Sequence, residues 1–364
     1  MSWRRVVLTL LTLLSAGVSL IGVTNVAQAS PQAPQASQAT YGAPKEGAKV
    51  ILNETSIDGP AITPAYPGDI IAWTGTDAQH HLNLMTSSDG LHYSNKHILP
   101  EMSLWRPAIA FIGSLRTVPF EGTLVLAWTG TDAHHTVNLE MISMPSFKVT
   151  QKITFWGETS FTAPAVGMLP GDVNSDIYLA WAGTDSAHTL NIIHRTTFDK
   201  TQDKKILWGW GSISRPNLYY DLSNDSKGGQ LLSWTGFNNR LYFAYSAKNT
   251  SNQTYWTMAS ASPLSMKSAW APSMIGFTTS TQPSHWLAWT GSGVTSTHAL
   301  HVMYTQHYPS WSDTNSQATL DETAISGPAL AIRSTSGEPQ MVIGWTGTDP
   351  YHHLNVAIVT APAA

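Results

Sequence analysis

Two arginines stand directly before prolines, Arg106-Pro107 and Arg215-Pro216, and tryptophans accompany both: Trp105 beside the first, Trp208 and Trp210 ahead of the second. Tyr219 and Tyr220 follow the second arginine, Arg240 lies further along, and Trp270 stands two residues before Pro272. A guanidinium fork binds a carboxylate through two parallel hydrogen bonds, and aromatic faces offer platforms on which sugar rings stack. Trp105, Arg106, Trp208, Trp210, Arg215, Tyr219, Tyr220, Arg240 and Trp270 are therefore the candidate ligand contacts. The competing reading makes them ordinary residues of a rim. No catalytic residue is assigned.

A second set is periodic. His80, His135, His188 and His352 each lie three residues after an aspartate: Asp77, Asp132, Asp185 and Asp349. Aspartate and histidine are both metal ligands, but one of each per repeat is too few for a site, so no metal is expected. The simpler expectation is structural: the aspartate accepts hydrogen bonds from turn N–H groups and orients the histidine. Glu54, Glu101, Glu158 and Glu322 also recur. Glycoside hydrolysis needs paired carboxylates, yet the members of such a pair work because their environments differ. Equivalent copies offer no such asymmetry and read as part of the repeat.

The elements that carry these residues follow from one phrase. Trp-Thr-Gly-Thr-Asp begins at Trp73, Trp128 and Trp345, with Trp181-Ala182-Gly183-Thr184-Asp185 as a close copy and worn copies at Trp234 and Trp289. The six tryptophans are spaced 55, 53, 53, 55 and 56 residues apart. A period of that size marks an array or a propeller. Each unit holds four short segments, β-branched or aromatic and divided by Gly, Pro, Asp and Ser, which is strand chemistry. The expected fold is all-β: a six-bladed propeller of four-stranded antiparallel blades. The last unit lacks a fourth strand, and Lys49 to Ser56 resembles one, so an N-terminal outer strand should complete blade six and remove a free edge. With strands lettered A to D outward, the B–C turns and D–A connectors share one face, where a ligand site is expected. Blade four breaks the repeat most, reading Phe237-Asn238-Asn239-Arg240 where four blades carry Asp and His and blade five keeps the His alone, as His298. Functional sites are expected where a local rule fails.

The ends and composition bound the setting. Arg4-Arg5, an apolar run from Val6 to Val23 and Ala27-Gln28-Ala29 read as an export signal over 1–29. A Pro/Gln/Ala/Ser linker follows over 30–46 and the propeller over 47–361. The expectation is a secreted, extracellular or cell-surface-associated protein with no stable membrane insertion after cleavage. The chain has no cysteine, so a large core must replace disulfides. A net charge of −4 argues against a nucleic-acid partner.

The chain resembles the sialidase-like six-bladed propellers, whose repeats carry the Asp-box Ser-x-Asp-x-Gly-x-x-Trp. Ser87-Ser88-Asp89-Gly90-Leu91-His92-Tyr93 is similar to it, one residue short and ending in tyrosine. In that family an arginine triad holds the substrate carboxylate, with a Tyr/Glu pair and an Asp as acid/base. Arg106, Arg215 and Arg240 match the triad in type, and no residue here matches the remainder. A weaker likeness is to the fucose-binding fungal lectins, which hold sugars between blades with Arg, Glu and Trp. The resemblances imply a carbohydrate-binding, lectin-like protein with a glycan or glycoconjugate partner and no cofactor. The alternatives are an exo-acting glycosidase of sialidase type and a protein-interaction scaffold.

Overall fold

The structure, a computed structural model, describes residues 42–361 apart from 114–118, 169–175, 197–202, 222–228, 249–253, 259–264, 279–282, 293–297, 306–315 and 334–339. The expected export signal and the linker up to residue 41 lie outside the described residues. The apolar runs form strands as their composition requires. The chain opens with β1 (Lys45–Thr55). Blade one is β2 (Ala61–Ala65), β3 (Gly68–Thr74), β4 (His81–Ser87) and β5 (Tyr93–Met102). Blade two is β6 (Ala108–Gly113), β7 (Gly122–Thr129), β8 (Thr136–Met144) and β9 (Lys148–Thr159). Blade three is β10 (Ala165–Met168), β11 (Asp176–Ala182), β12 (Thr189–Thr196) and β13 (Asp203–Gly211). Blade four is β14 (Asn217–Asp221), β15 (Gly229–Thr235), β16 (Leu241–Lys248) and β17 (Thr254–Met258). Blade five is β18 (Ser273–Thr278), β19 (Pro283–Thr290), β20 (Ala299–Thr305) and β21 (Gln317–Thr323). Blade six is β22 (Ala329–Arg333), β23 (Gln340–Thr346) and β24 (His353–Thr360), closed by β1.

The closure is the expected one: Val50 pairs with Val356 and Ile51 with Asn355, antiparallel. The strand starts earlier than the sequence suggested, because Lys45 already pairs with Thr360. The inner strands β2, β6, β10, β14, β18 and β22 pack in a closed circle around a central channel.

Apolar side chains gather at the blade junctions. Trp73 packs with Ala331 and Val342 of blade six, Trp128 with Ile70 and Leu84 of blade one, and Trp345 with Ala288 and Val302 of blade five. The six repeat tryptophans are at most 3% exposed. Burying one indole removes about 200 Å² from water, on the order of 4 kcal/mol.

Over four of these rings lies a lysine from the same blade's outer strand. Lys96 sits over Trp73, Lys152 over Trp128, Lys204 over Trp181 and Lys49 over Trp345, 5.3 to 5.6 Å from the ring centre. Each ammonium reaches a glutamate of the preceding blade: Glu54 for Lys96, Glu101 for Lys152, Glu158 for Lys204 and Glu322 for Lys49. The recurring glutamates thus bracket adjacent blades. At the remaining junctions aromatic rings take over: Trp210 and Tyr242 stack on Trp234, and His301 stacks on Trp289.

The rest of the repeat phrase is spent on hydrogen bonds. Thr74 donates to the carbonyl of Trp105 in the next connector, and Thr129, Thr235, Thr290 and Thr346 do the same to Thr162, Trp270, Ser326 and Asp58. A Cβ on Gly75 would stand 2.7 Å from the Asp77 carboxylate and 2.9 Å from the Asn83 amide. Asp77 accepts from the backbone N–H of Gln79 and His81 and from the His81 ring. Asp132 and Asp185 accept from the matching N–H groups and from Thr136 and Thr189.

The aspartate carboxylate does not orient the ring of the histidine three residues on, as the spacing had suggested; the aspartate's backbone carbonyl instead accepts that histidine's N–H. His80, His135, His188 and His352 have φ of 43° to 57°, a left-handed turn conformation, so His80 precedes the strand that His81 begins. Their carbonyls accept from Ser103, Ser160, Ser212 and Ser56, which end the outer strands. The backbone, more than the ring, is what this position supplies.

Two outcomes follow. A chain starting at residue 57 should aggregate, having bared the edge of β24, whereas one starting at Gly42 should keep the parent melting temperature; equal behaviour of the two would refute the closure. In the turn, Asp132→Ala should cost about 1 kcal/mol in denaturant unfolding, since its carboxylate is exposed and its partners can turn to water. His135→Val should cost at least as much and His135→Gly less, because only glycine relieves the left-handed backbone; equal losses would argue against that role.

Candidate functional site

The structure distributes the candidate residues over three places. Arg106, Arg215, Tyr219 and Tyr220 line the central channel, a cavity of about 190 Å³. Trp105 and Trp270 lie half-buried in connectors, packed against turn histidines: Trp105 edge-on to His135 at 5.1 Å, Trp270 tilted against His298 at 5.0 Å. Trp210 belongs to the junction of blades three and four. Trp208, two residues earlier on the same outer strand, is 77% exposed. Arg240 joins none of these. It is exposed in the blade-four turn, its backbone bridging to Lys267, and it does not line the channel.

Proline after Arg106 and Arg215 fixes where each inner strand begins, and this aims both side chains inward across the channel mouth. Arg106 is 1% exposed and reaches past blade one to blade six, donating to the carbonyls of Pro60, Gly327 and Pro328. Gly59 leaves room for it: a Cβ there would lie 2.8 Å from the guanidinium. The nearby Asp58 accepts from the Arg106 backbone N–H rather than from the side chain. Burial, then the neighbouring Arg215, press the Arg106 pKa well below its usual value, against a smaller opposing pull from Asp58. Burial lowers Arg215 to about 10, leaving it charged at neutral pH. Two arginines meet here, and the third stays apart.

The junction of blades three and four is built differently. Trp210 stands where four other units carry glutamate, and its ring stacks on Trp234 at 5.4 Å; Tyr242 covers the same indole at 5.5 Å. With Phe237, Asn238, Gly209, Gly211 and Met258 they wall an open cleft of about 260 Å³. Phe237 is 59% exposed and continues a row of rings through His188 to Phe161, spaced 6.0 and 3.7 Å. Asn238 donates to the Tyr242 hydroxyl. The sequence singled out Trp210 and the broken blade-four turn that begins at Phe237, but did not mark Phe237, Tyr242 or Phe161 as ligand contacts. The signal was the repeat's own alignment, in which Trp210 replaces glutamate and Phe237 replaces threonine.

Two other clusters bear charge. Glu140, 1% exposed, shares Lys152 with Glu101, and burial together with Glu101 raises its pKa. The Asp-box-like turn of blade one closes as its pattern implies: Asp89 accepts from the N–H of Leu91 and His92, while the Ser87 hydroxyl also bonds Asp89. Arg333 of blade six donates to the Asp89 carbonyl. Behind them Asp69 is 3% exposed, and burial lifts its pKa to about 7 despite the opposing pull of Arg333.

No protein-family model matches the chain, and no curated protein matches it. Among solved structures it is similar to a protein of unknown function from Dyadobacter fermentans, with a TM-score of 0.56 at 10% identity over 87% of this chain and 99% of that one. It is also similar to a triple arginine-to-alanine mutant of AofleA from Arthrobotrys oligospora, with a TM-score of 0.58 at 9% identity, covering 88% of this chain and 91% of that one. At such identities the likeness is one of fold: the chain is a six-bladed β-propeller.

Asp69 sets a pH dependence. Its folded pKa of about 7 lies above the ordinary 3.8, so the folded state holds the proton more tightly and stability falls as pH rises from about 4 to 7. The melting-temperature difference between Asp69→Asn and the parent should therefore grow in the variant's favour across that window. A difference that is flat with pH would contradict the burial of this carboxyl.

Proposed function

We propose that this chain is a secreted, lectin-like propeller that binds glycans, with its principal site in the cleft between blades three and four. The observation that carries the reading is the exposed aromatic wall of that cleft. The exposed ring of Phe237 and the part-buried rings of Trp210 and Tyr242, stacked on the buried Trp234, lie beside the amide of Asn238, an apolar surface with a polar handle that suits a sugar ring. The position agrees with the likeness to lectins that hold sugars between blades. Secretion rests on the N-terminal sequence alone.

The acidic-sugar and sialidase alternatives have less support. Their arginine cradle needs Arg240 beside Arg106 and Arg215, and Arg106 already spends its fork on three backbone carbonyls.

The test is a glycan array beside a fluorogenic sialoside assay. Phe237→Ala should weaken array binding roughly 5-fold, the value of one stacking contact of about 1 kcal/mol, with the melting temperature unchanged because the ring is exposed. Binding that survives both Phe237→Ala and Trp210→Ala would move the site elsewhere. Sialoside turnover would favour the enzyme, and silence in both assays a protein-interaction scaffold.

A further inference from the structure

The channel itself has a composition that glycan binding does not explain. One apolar residue from each inner strand faces it at the same register, two positions ahead of the pairing partner's tryptophan: Ile62, Ile109, Val166, Leu218, Met274 and Leu330. Three residues before each of these, next to the proline, the chain carries Gly59, Arg106, Ala163, Arg215, Ala271 and Gly327. The mouth is therefore a ring of small residues interrupted by two arginines, about 10 Å along the strand direction from the apolar ring.

The two guanidiniums are not equivalent. Both have a buried Nε without a partner, but the terminal nitrogens of Arg106 donate to carbonyls of blades one and six. Arg215 is 7% exposed, its Nε is buried without a hydrogen-bond partner, and its guanidinium donates to no group among the described residues. Neither arginine forms an ion pair among the described residues, and Asp58 is occupied by backbone N–H groups of Gly59 and Arg106. Two buried cations thus face one carboxylate that touches neither fork. A buried charge without a partner is costly, and a matched anion relieves that cost.

We infer that the channel binds a small apolar monocarboxylate, its carboxylate on the Arg215 fork at the mouth and its hydrocarbon body against the ring of Ile62, Ile109, Val166, Leu218, Met274 and Leu330. An inorganic anion would satisfy the arginine but leave the apolar wall uncovered. A polyhydroxylated acid would bury hydroxyls against that apolar ring, and of the channel's polar side chains Asn217 and Tyr219 already donate to the carbonyls of Met274 and Gly276. The site is independent of the cleft between blades three and four.

Hexanoate is the probe, with acetate, 1-hexanol and N-acetylneuraminate as comparisons, read by calorimetry and thermal shift on the intact chain. Hexanoate should bind saturably and raise the melting temperature. It should bind on the order of 100-fold more tightly than acetate, which lacks four of the buried methylenes. It should also bind at least 10-fold more tightly than 1-hexanol, which cannot form the charged hydrogen bonds. Arg215→Met should remove the preference for acid over alcohol, and Phe237→Ala should leave it intact. Where Arg215→Met fails to fold, the comparison of acid with alcohol in the parent chain decides. Acetate binding as tightly as hexanoate would reduce the site to a bare anion site. Arg215-dependent binding of N-acetylneuraminate in place of hexanoate would make it an acidic-sugar site, and no binding at all would make Arg215 purely structural; each of these overturns the inference.

Discussion

Adjacent blades share only isolated backbone bridges at the turns, such as Ser56 with Gly75 and Ser103 with Gly130, so the ring depends chiefly on its side-chain junctions. The tryptophan of the repeat meets that constraint. Its indole is buried against the preceding blade, a gain on the order of 4 kcal/mol per ring that exceeds any polar contact nearby. The lysine above it and the glutamate beyond add less: a partly exposed cation over an aromatic face and a half-exposed ion pair contribute about 1 kcal/mol each at most. Their value lies in direction, since the glutamate comes from the neighbouring blade and sets how closely the two sheets approach. In a chain without disulfides these brackets, together with the β1 closure, bear the load that covalent links would otherwise share.

The same logic explains where the repeat fails. At the junction of blades three and four the glutamate is Trp210 and the lysine is missing, yet the indole of Trp234 is still covered, now by Trp210 and Tyr242. An ion bracket closes over its tryptophan, whereas flat rings leave a cleft beside theirs. In the adjoining turn Asn238 accepts from the Arg240 N–H and the Asn239 carbonyl from the Ser268 N–H, as the Asp and His do elsewhere, while Phe237, in the place of threonine, projects outward. One change of chemistry therefore keeps the ring intact and opens a surface, which is why the irregular blade carries the candidate site.

The channel mouth shows a related division of labour between two residues of one type. Arg106 and Arg215 occupy the same place in their blades, each before a proline, but the first finds three carbonyls across a gap left by Gly59 and Gly327. Blades one and six supply those acceptors to blade two. Blade four has no such neighbours, so an identical residue in an identical local setting ends with a different set of contacts.

The repeat period, the four strands per unit, the six-fold count and the N-terminal closing strand were all legible in the sequence. Each depends on local pattern: apolar runs that must be covered on both faces, turn residues at fixed offsets, and a strand missing at one end and spare at the other. The glutamates were legible only as repeats, because their lysine partners lie on another blade, 42 to 51 residues away for three pairs and 273 for Glu322 and Lys49. The histidines were misread in detail because spacing does not reveal φ, and a residue in the left-handed region points away from the partner that its position suggests. The nine candidate ligand residues shared one face on paper. Tertiary structure divided them among channel, connectors and blade junction, since radial distance from the ring axis is set by how six sheets pack together and by nothing that any single blade encodes.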